Sequence, residues 1–245
     1  MTTQPGDAIP VTVPAPHDLI TSWPEQPQQL FLLFHGAGQK PSDMLDMAQR
    51  LSARFPQGVV ACVAAPHAYD EGEGFQWYSH RGESDENRAE RLLPARLELS
   101  ATVRAWQRHT GLGPERTALL CFAQSATVAL AAVAAEQDLA ARLFAVAGRF
   151  DRLPEQMHQH TCIHWMHGKD DEVMPYQAAV EAGYRLRDLD ADFSVDVFPE
   201  TGHCVTEEME QRIFHLLANH VPLRLWRQAM AEAGQPDTPP PSSLH

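Results

Sequence analysis

Thr117-Ala118-Leu119-Leu120-Cys121-Phe122-Ala123-Gln124-Ser125 decides how this 245-residue chain is read. An apolar run, Thr117 to Leu120, leads into Cys121-Phe122-Ala123-Gln124-Ser125, and an alanine-rich segment of helical composition follows from Ala126 to Glu136. Strand, sharp turn and helix in that order put one side chain on an exposed apex, the arrangement written G-x-S-x-G where that residue is a nucleophile. Here the apex is Ala123, which has no nucleophilic atom, and the glycine positions hold Cys121 and Ser125. Re-centring on Ser125 gives Ala123-Gln124-Ser125-Ala126-Thr127. That register places a β-branched threonine where a small residue is needed and pushes the turn into the helix. Ser125 is therefore the alternative nucleophile and Ala123 the expected nucleophile position.

Working outward, apolar periodicity switches repeatedly between strand-like and helix-like spacing. Gln29 to Phe34, Gly58 to Ala64, Thr117 to Phe122, Leu143 to Ala147 and Thr161 to Met166 read as buried strands, and Phe193 to Val197 alternates as a half-buried strand near a sheet edge. A helix is predicted from Ser42 as N-cap. A second carries Leu92, Ala95, Leu99, Val103 and Trp106 and ends near Gly111. A third carries Tyr176, Ala179, Val180, Gly183 and Tyr184, and a last helical region runs from Val205 through Trp226. Alternating strands and helices predict an α/β fold with a mainly parallel sheet and helices on both faces. The expected division is an N-terminal extension over 1–28, one domain over 29–232 and a disordered proline-rich tail over 233–245.

Composition narrows the function classes. A chain of this length buries roughly 70–75% of its unfolded surface as one domain. With 32 acidic against 19 basic residues and a net charge of −13, it repels phosphate backbones and anionic lipid surfaces, which argues against nucleic-acid binding. No apolar run approaches the roughly 18 residues of a membrane span, and the first residues do not resemble a signal peptide. Cys62, Cys121, Cys162 and Cys204 are widely spaced, as expected for free thiols in a reducing cytoplasm. Nothing in the sequence sets an oligomeric state.

Nucleophilic hydrolysis needs a base within reach of the nucleophile, an acid to orient the base, and donors for the oxyanion. Candidates follow the apex in that order along the chain. Asp171 lies in His167-Gly168-Lys169-Asp170-Asp171-Glu172-Val173-Met174-Pro175, just after a strand, and His203 lies in Thr201-Gly202-His203 after the strand ending at Phe198. These residues, with Leu33-Phe34-His35-Gly36, Gln76-Trp77-Tyr78-Ser79, Glu86-Asn87-Arg88, and Phe122 and Gln124 around the apex, resemble the lysophospholipase and acyl-protein-thioesterase group of bacterial carboxylesterases. These belong to the α/β-hydrolase superfamily, and the likeness is strongest to the YpfH-like esterases. It spans about Gln29 to Trp226.

The resemblance implies an α/β-hydrolase fold, an ester or thioester substrate of small size, an acyl-enzyme route, and neither metal nor organic cofactor. It assigns the acid to Asp171, the base to His203, the oxyanion-hole N–H groups to Ala37 and Gln124, and a substrate-lining role to Trp77. It also makes His35 a structural support of the oxyanion loop. With Ala123 at the apex the chain is expected to be inactive or severely impaired. The rival is a non-catalytic ligand- or partner-binding protein on the same scaffold. His158, His160, His164 and His167 suggest a metal at first sight. However, His164 and His167 are three apart on a strand and face opposite sides, and no cysteine or carboxylate was found to complete four ligands, so no metal is expected.

Overall fold

A computed structural model describes residues 11–84 and 86–233. In chain order the elements are β1 (Leu19–Ser22), β2 (Gln29–Phe34), α1 (Leu45–Arg54), β3 (Gly58–Val63) and a small hairpin of β4 (His67–Ala68) with β5 (Phe75–Gln76). Then come α2 (Arg88–Thr110), β6 (Thr117–Phe122), α3 (Gln124–Ala135), β7 (Arg142–Val146), β8 (Cys162–Gly168), α4 (Gln177–Asp188), β9 (Phe193–Phe198), α5 (Glu207–Asn219) and α6 (Leu223–Glu232). Seven strands form the main sheet in the order β1-β3-β2-β6-β7-β8-β9. β1 runs antiparallel to β3, and every other neighbouring pair is parallel.

The inner strands are continuous apolar runs because helices cover both sheet faces. Leu30, Leu32 and Phe34 point to one face and pack with Leu99, Val103 and Trp106 of α2 and with α3. Phe31 and Leu33 point to the other and pack with Met47, Ala48 and Leu51 of α1 and Ile213 of α5. Each such fully buried side chain stabilises the fold by about 1.5–3 kcal/mol relative to exposure. α3 lies buried beneath α2 and is apolar on nearly every side, which is why its alanines carry no amphipathic signal. The parallel register pairs Phe34 with Cys121, Phe122 with Val146 and Gly168 with Phe198, so the carboxyl ends of these strands share one edge. Ligand sites of open α/β sheets form along that edge.

Several local expectations change. Leu19–Ser22, within the stretch set apart as an N-terminal extension, is a sheet strand that pairs with Val60 to Cys62. Ser42 is not a helix cap. Pro41–Met44 is a 3-10 turn in which Asp43 Oδ2 accepts from Lys40 N–H at 2.9 Å, and α1 begins only at Leu45. The last helical region is two helices, because Pro222 disfavours helical backbone at Val221 and begins a new helix. β9 is at the sheet edge as predicted, yet its polar positions are covered: Asp196 accepts from Arg212 of α5, and Ser194 meets His164. In α4 the buried residues are Ala179, Ala182, Gly183 and Leu186, whereas Tyr184 is exposed. The tail expected to be disordered lies, from Gly234 onward, outside the described residues.

Candidate active site

The turn between β6 and α3 has Ala123 at its apex with φ 54° and ψ −113°. A positive φ is uncommon for a residue with a Cβ, and holding one costs on the order of 1–3 kcal/mol unless the surroundings over-determine it. They do so here. Ala123 N–H donates to Val146 O at 2.9 Å, and Ala123 O accepts from Thr127 N–H at 3.1 Å. Below the apex the Ser125 hydroxyl bonds Phe34 O at 2.7 Å and Phe122 O at 2.9 Å, and accepts from Phe122 N–H at 3.0 Å. Ser125 is fully buried, so the side chain considered as an alternative nucleophile is a brace under the turn. Cys121 is likewise buried, and burial pushes its thiol pKa well up, away from the nucleophilic thiolate.

Asp171 and His203 come together from two neighbouring strand ends. His203 Nδ1 is 2.8 Å from Asp171 Oδ2, while Asp171 Oδ1 accepts from the backbone N–H groups of Val173 and Met174 at 2.9 and 2.8 Å. The carboxylate is therefore oriented on both oxygens and buried, and the imidazole remains partly accessible. Gly168 makes this approach possible. A Cβ there would lie 2.2 Å from Thr201 O and 2.5 Å from Gly202 O, the backbone that carries His203. The His203 ring also rests on Phe122, with ring centroids 5.0 Å apart.

The loop after β2 forms the third wall. His35 Nε2 accepts from Ala65 N–H at 3.2 Å, which leaves the proton on Nδ1 to donate to Gly36 O at 2.7 Å. Burial holds the His35 pKa below its usual value, consistent with this neutral, bridging imidazole. Gly36 N–H goes to Gln39 Oε1, Gly38 N–H to Phe75 O and Gln39 N–H to Gly36 O. Ala37 N–H is the one of that turn without a protein acceptor among the described residues. Gln124 N–H is the first of α3 and belongs to the helix N–H groups that have no intrahelical acceptor. The Gln124 side chain serves the neighbouring loop instead, where Oε1 accepts from Trp77 N–H at 2.8 Å and Nε2 donates to Tyr78 O at 2.8 Å.

Ala37, Ala123, Gln124 and His203 line one cavity of about 560 Å³. Trp77 does not line it. Its indole is buried against Phe34, and the adjacent Tyr78 faces the cavity instead, joined by His80, Glu83, Arg88 and Arg149. Burial pushes the Glu83 pKa up, but hydrogen bonds from Arg88 and His80 outweigh it and hold the group below the usual range. The sequence reading gave the cavity-lining place to Trp77, and the structure gives it to Tyr78. Periodicity would have favoured opposite directions for two successive residues of extended chain, without saying which points inward. Of the histidines weighed as metal ligands, His160 pairs with Asp138 at the surface and His167 bonds Gly148 O. His164 instead meets Cys162 and His220, away from this cavity.

Fold and site together define an α/β-hydrolase. The sequence profile of the phospholipase/carboxylesterase family matches residues 15–221. The chain is 33% identical to esterase YpfH of Escherichia coli K12 over 225 residues, 90% of this chain and 95% of that one. The chain therefore belongs to the phospholipase/carboxylesterase family of hydrolases. The crystal structure of esterase PE8 superposes with a TM-score of 0.72 at 22% identity, covering 78% of this chain and 92% of that one. A Bacillus cereus carboxylesterase superposes at 0.69 with 15% identity, covering 82% and 92%, and a Mesorhizobium loti carboxylesterase at 0.67 with 15%, covering 78% and 89%. At these identities the likeness is one of fold. Among the described residues no helix is long and apolar enough to cross a membrane.

Proposed function

We propose that this chain carries a carboxylesterase site for small, short-chain esters or thioesters whose nucleophile position is filled by Ala123, so that it binds such substrates and hydrolyses them at a severely reduced rate. The observation that carries the reading is the apex geometry. Ala123 keeps φ 54° in a cavity it shares with His203, whose Nδ1 stands 2.8 Å from Asp171. Other turns of the chain also hold residues with a Cβ at positive φ, but Ala123 does so at a strand-to-helix apex beside His203, which is the setting of a nucleophile elbow.

With serine at 123, the hydroxyl would attack the substrate carbonyl and His203 Nε2 would take its proton. Asp171 would steady the imidazolium, and the N–H groups of Ala37 and Gln124 would receive the oxyanion. The proton would then pass to the leaving oxygen or sulfur, and water would release the acyl group by the same base. Alanine removes the first bond in this sequence. Losing the nucleophile of such a triad costs about 10⁶ in kcat, or roughly 8 kcal/mol of transition-state stabilisation. Oxyanion donors and binding alone leave a residual of about 10³–10⁴ over water. In this proposal the binding-only role is what the residues as written retain. The four free cysteines fit a reducing, cytoplasmic setting.

Hydrolysis of a short-chain p-nitrophenyl ester by this chain and by Ala123→Ser tests the proposal. The expected result is a gain of at least about a hundredfold, within the range set by nucleophile removal. No gain in a folded variant sinks it.

A further inference from the structure

Cys162 and His164 are two apart on β8 and so point to the same face of the sheet, at the end of the strand remote from the cavity. Gly168, at the other end of β8, lies six positions on from Cys162, about 20 Å along the strand. His220, at the close of α5, reaches the same place from 58 residues away. Cys162 Sγ lies 3.5 Å from His164 Nε2 and 3.4 Å from His220 Nε2, and one donor atom from each of the three residues lies within 4.8 Å of the others. Zinc–sulfur bonds of ~2.3 Å and zinc–nitrogen bonds of ~2.0–2.1 Å at a tetrahedral angle give sulfur–nitrogen edges of roughly 3.5 Å. Two edges of the cluster already have that length.

The surroundings also match a ligand set. Ser194 Oγ engages His164 Nδ1 at 2.9 Å, which aims Nε2 at the cysteine, as outer partners of metal-bound histidines do. Asp192 Oδ1 is 3.8 Å from His220 Nε2, while its other oxygen accepts from Leu223 N–H at 2.7 Å. Asp192 thus stands next to His220 as a carboxylate within reach, outside the set of three whose donor atoms lie within 4.8 Å of one another. Thiolate and carboxylate together neutralise a divalent ion. The nearby Arg142, tied to the carbonyls of Leu216 and His220, then faces no uncompensated cation. The His220 side chain is 30% exposed and gives a route from solvent.

We propose that Cys162, His164, His220 and Asp192 form a structural site for a zinc-type divalent cation, separate from the ester cavity. One sulfur, two imidazole nitrogens and one carboxylate oxygen suit a tetrahedral ion of borderline softness. On binding, the Cys162 thiol gives its proton to solvent and a sulfur–metal bond forms, with no change of oxidation state. The ion would clip the start of β8 to the residue before β9 and to the junction of α5 with α6. The sequence reading missed this set because it compared histidines close in the chain and did not reach His220.

The test uses the full chain, stripped with a chelator and titrated with Co²⁺ and then Zn²⁺. The expected result is one equivalent of cobalt per chain with a thiolate-to-cobalt charge-transfer band and the visible bands of a tetrahedral site, all displaced by one equivalent of zinc. Cys162→Ser should abolish the charge-transfer band. His220→Ala, at a partly exposed side chain, should weaken binding about tenfold or more while circular dichroism stays unchanged. It carries the test if the serine variant does not fold. Absence of the band in the folded, unmodified chain overturns the proposal, and the cluster is then a buried hydrogen-bond network. A band that survives Cys162→Ser, or zinc affinity untouched by His220→Ala, overturns it equally.

Discussion

Asp171 holds His203 by a single 2.8 Å contact, Oδ2 to Nδ1, and that contact leaves Nε2 as the nitrogen available for the proposed role of base. Because the other carboxylate oxygen is held by Val173 and Met174 N–H groups, Asp171 cannot turn away without breaking two backbone hydrogen bonds. In the Ala123→Ser background, Asp171→Asn should keep this anchoring through its carbonyl oxygen and turn its NH₂ toward Nδ1. That forces the proton onto Nε2, the wrong tautomer for a base. We expect kcat for ester hydrolysis to fall by about 10⁴ with the fold intact. A loss smaller than tenfold would remove Asp171 from the proposed role.

Ser125 separates a structural from a chemical hydroxyl. Its three contacts, to Phe34 O, Phe122 O and Phe122 N–H, lie in a fully buried site. Ser125→Ala strands a buried N–H and carbonyl, so a destabilisation of about 1–3 kcal/mol is expected in urea unfolding. In the Ala123→Ser background kcat should stay at the level of its parent. If the unmodified chain hydrolyses esters and Ser125→Ala abolishes that activity, the shifted register returns.

How much of this was legible in the sequence depends on the range of the contacts. Gln29–Phe34 and Thr117–Phe122 were read to the residue because strands buried on both faces are continuous apolar runs. β1 was missed since Leu19-Ile20-Thr21-Ser22 is short and alternates only weakly. Asp171 and His203 were placed by their position just after strands, which the fold turns into neighbouring strand ends. Trp77 was given the place that Tyr78 holds because sequence does not say which of two adjacent aromatic rings turns inward. The meeting of Cys162 with His220 depends on where α5 ends, a tertiary fact with no local signal.

Strain at the apex gives a prediction that does not depend on activity. Ala123 at φ 54° carries a Cβ in a region that glycine enters freely. Ala123→Gly should release roughly 1–3 kcal/mol of backbone strain and lose up to about 1 kcal/mol to the greater freedom of the unfolded chain. The net expectation is a stabilisation of about 1 kcal/mol, read as a higher urea midpoint at unchanged slope. A lower midpoint would mean that the apex is relaxed, and the case for an elbow would weaken with it.

His35 makes the loop that carries Ala37 sensitive to acid. Its Nε2 accepts from Ala65 N–H, so protonating that nitrogen would set one donor against another. Burial, the larger cause, and this geometry together favour the neutral ring, and the folded-state pKa is lowered from the usual 6.5. Below about pH 6.5 the unfolded chain therefore binds more protons at this position than the folded one, so stability is full above that pH and falls as pH drops toward the folded value. His167, also buried with a lowered pKa, adds to the same slope. His35→Asn cannot be protonated and should flatten, though not erase, the loss of urea stability between pH 7 and pH 5. It should also lower stability at pH 7, where the bond to Ala65 or to Gly36 is weakened. An equal pH slope in variant and parent would show that folding does not change the number of protons His35 binds, against the donor that Ala65 presents to it.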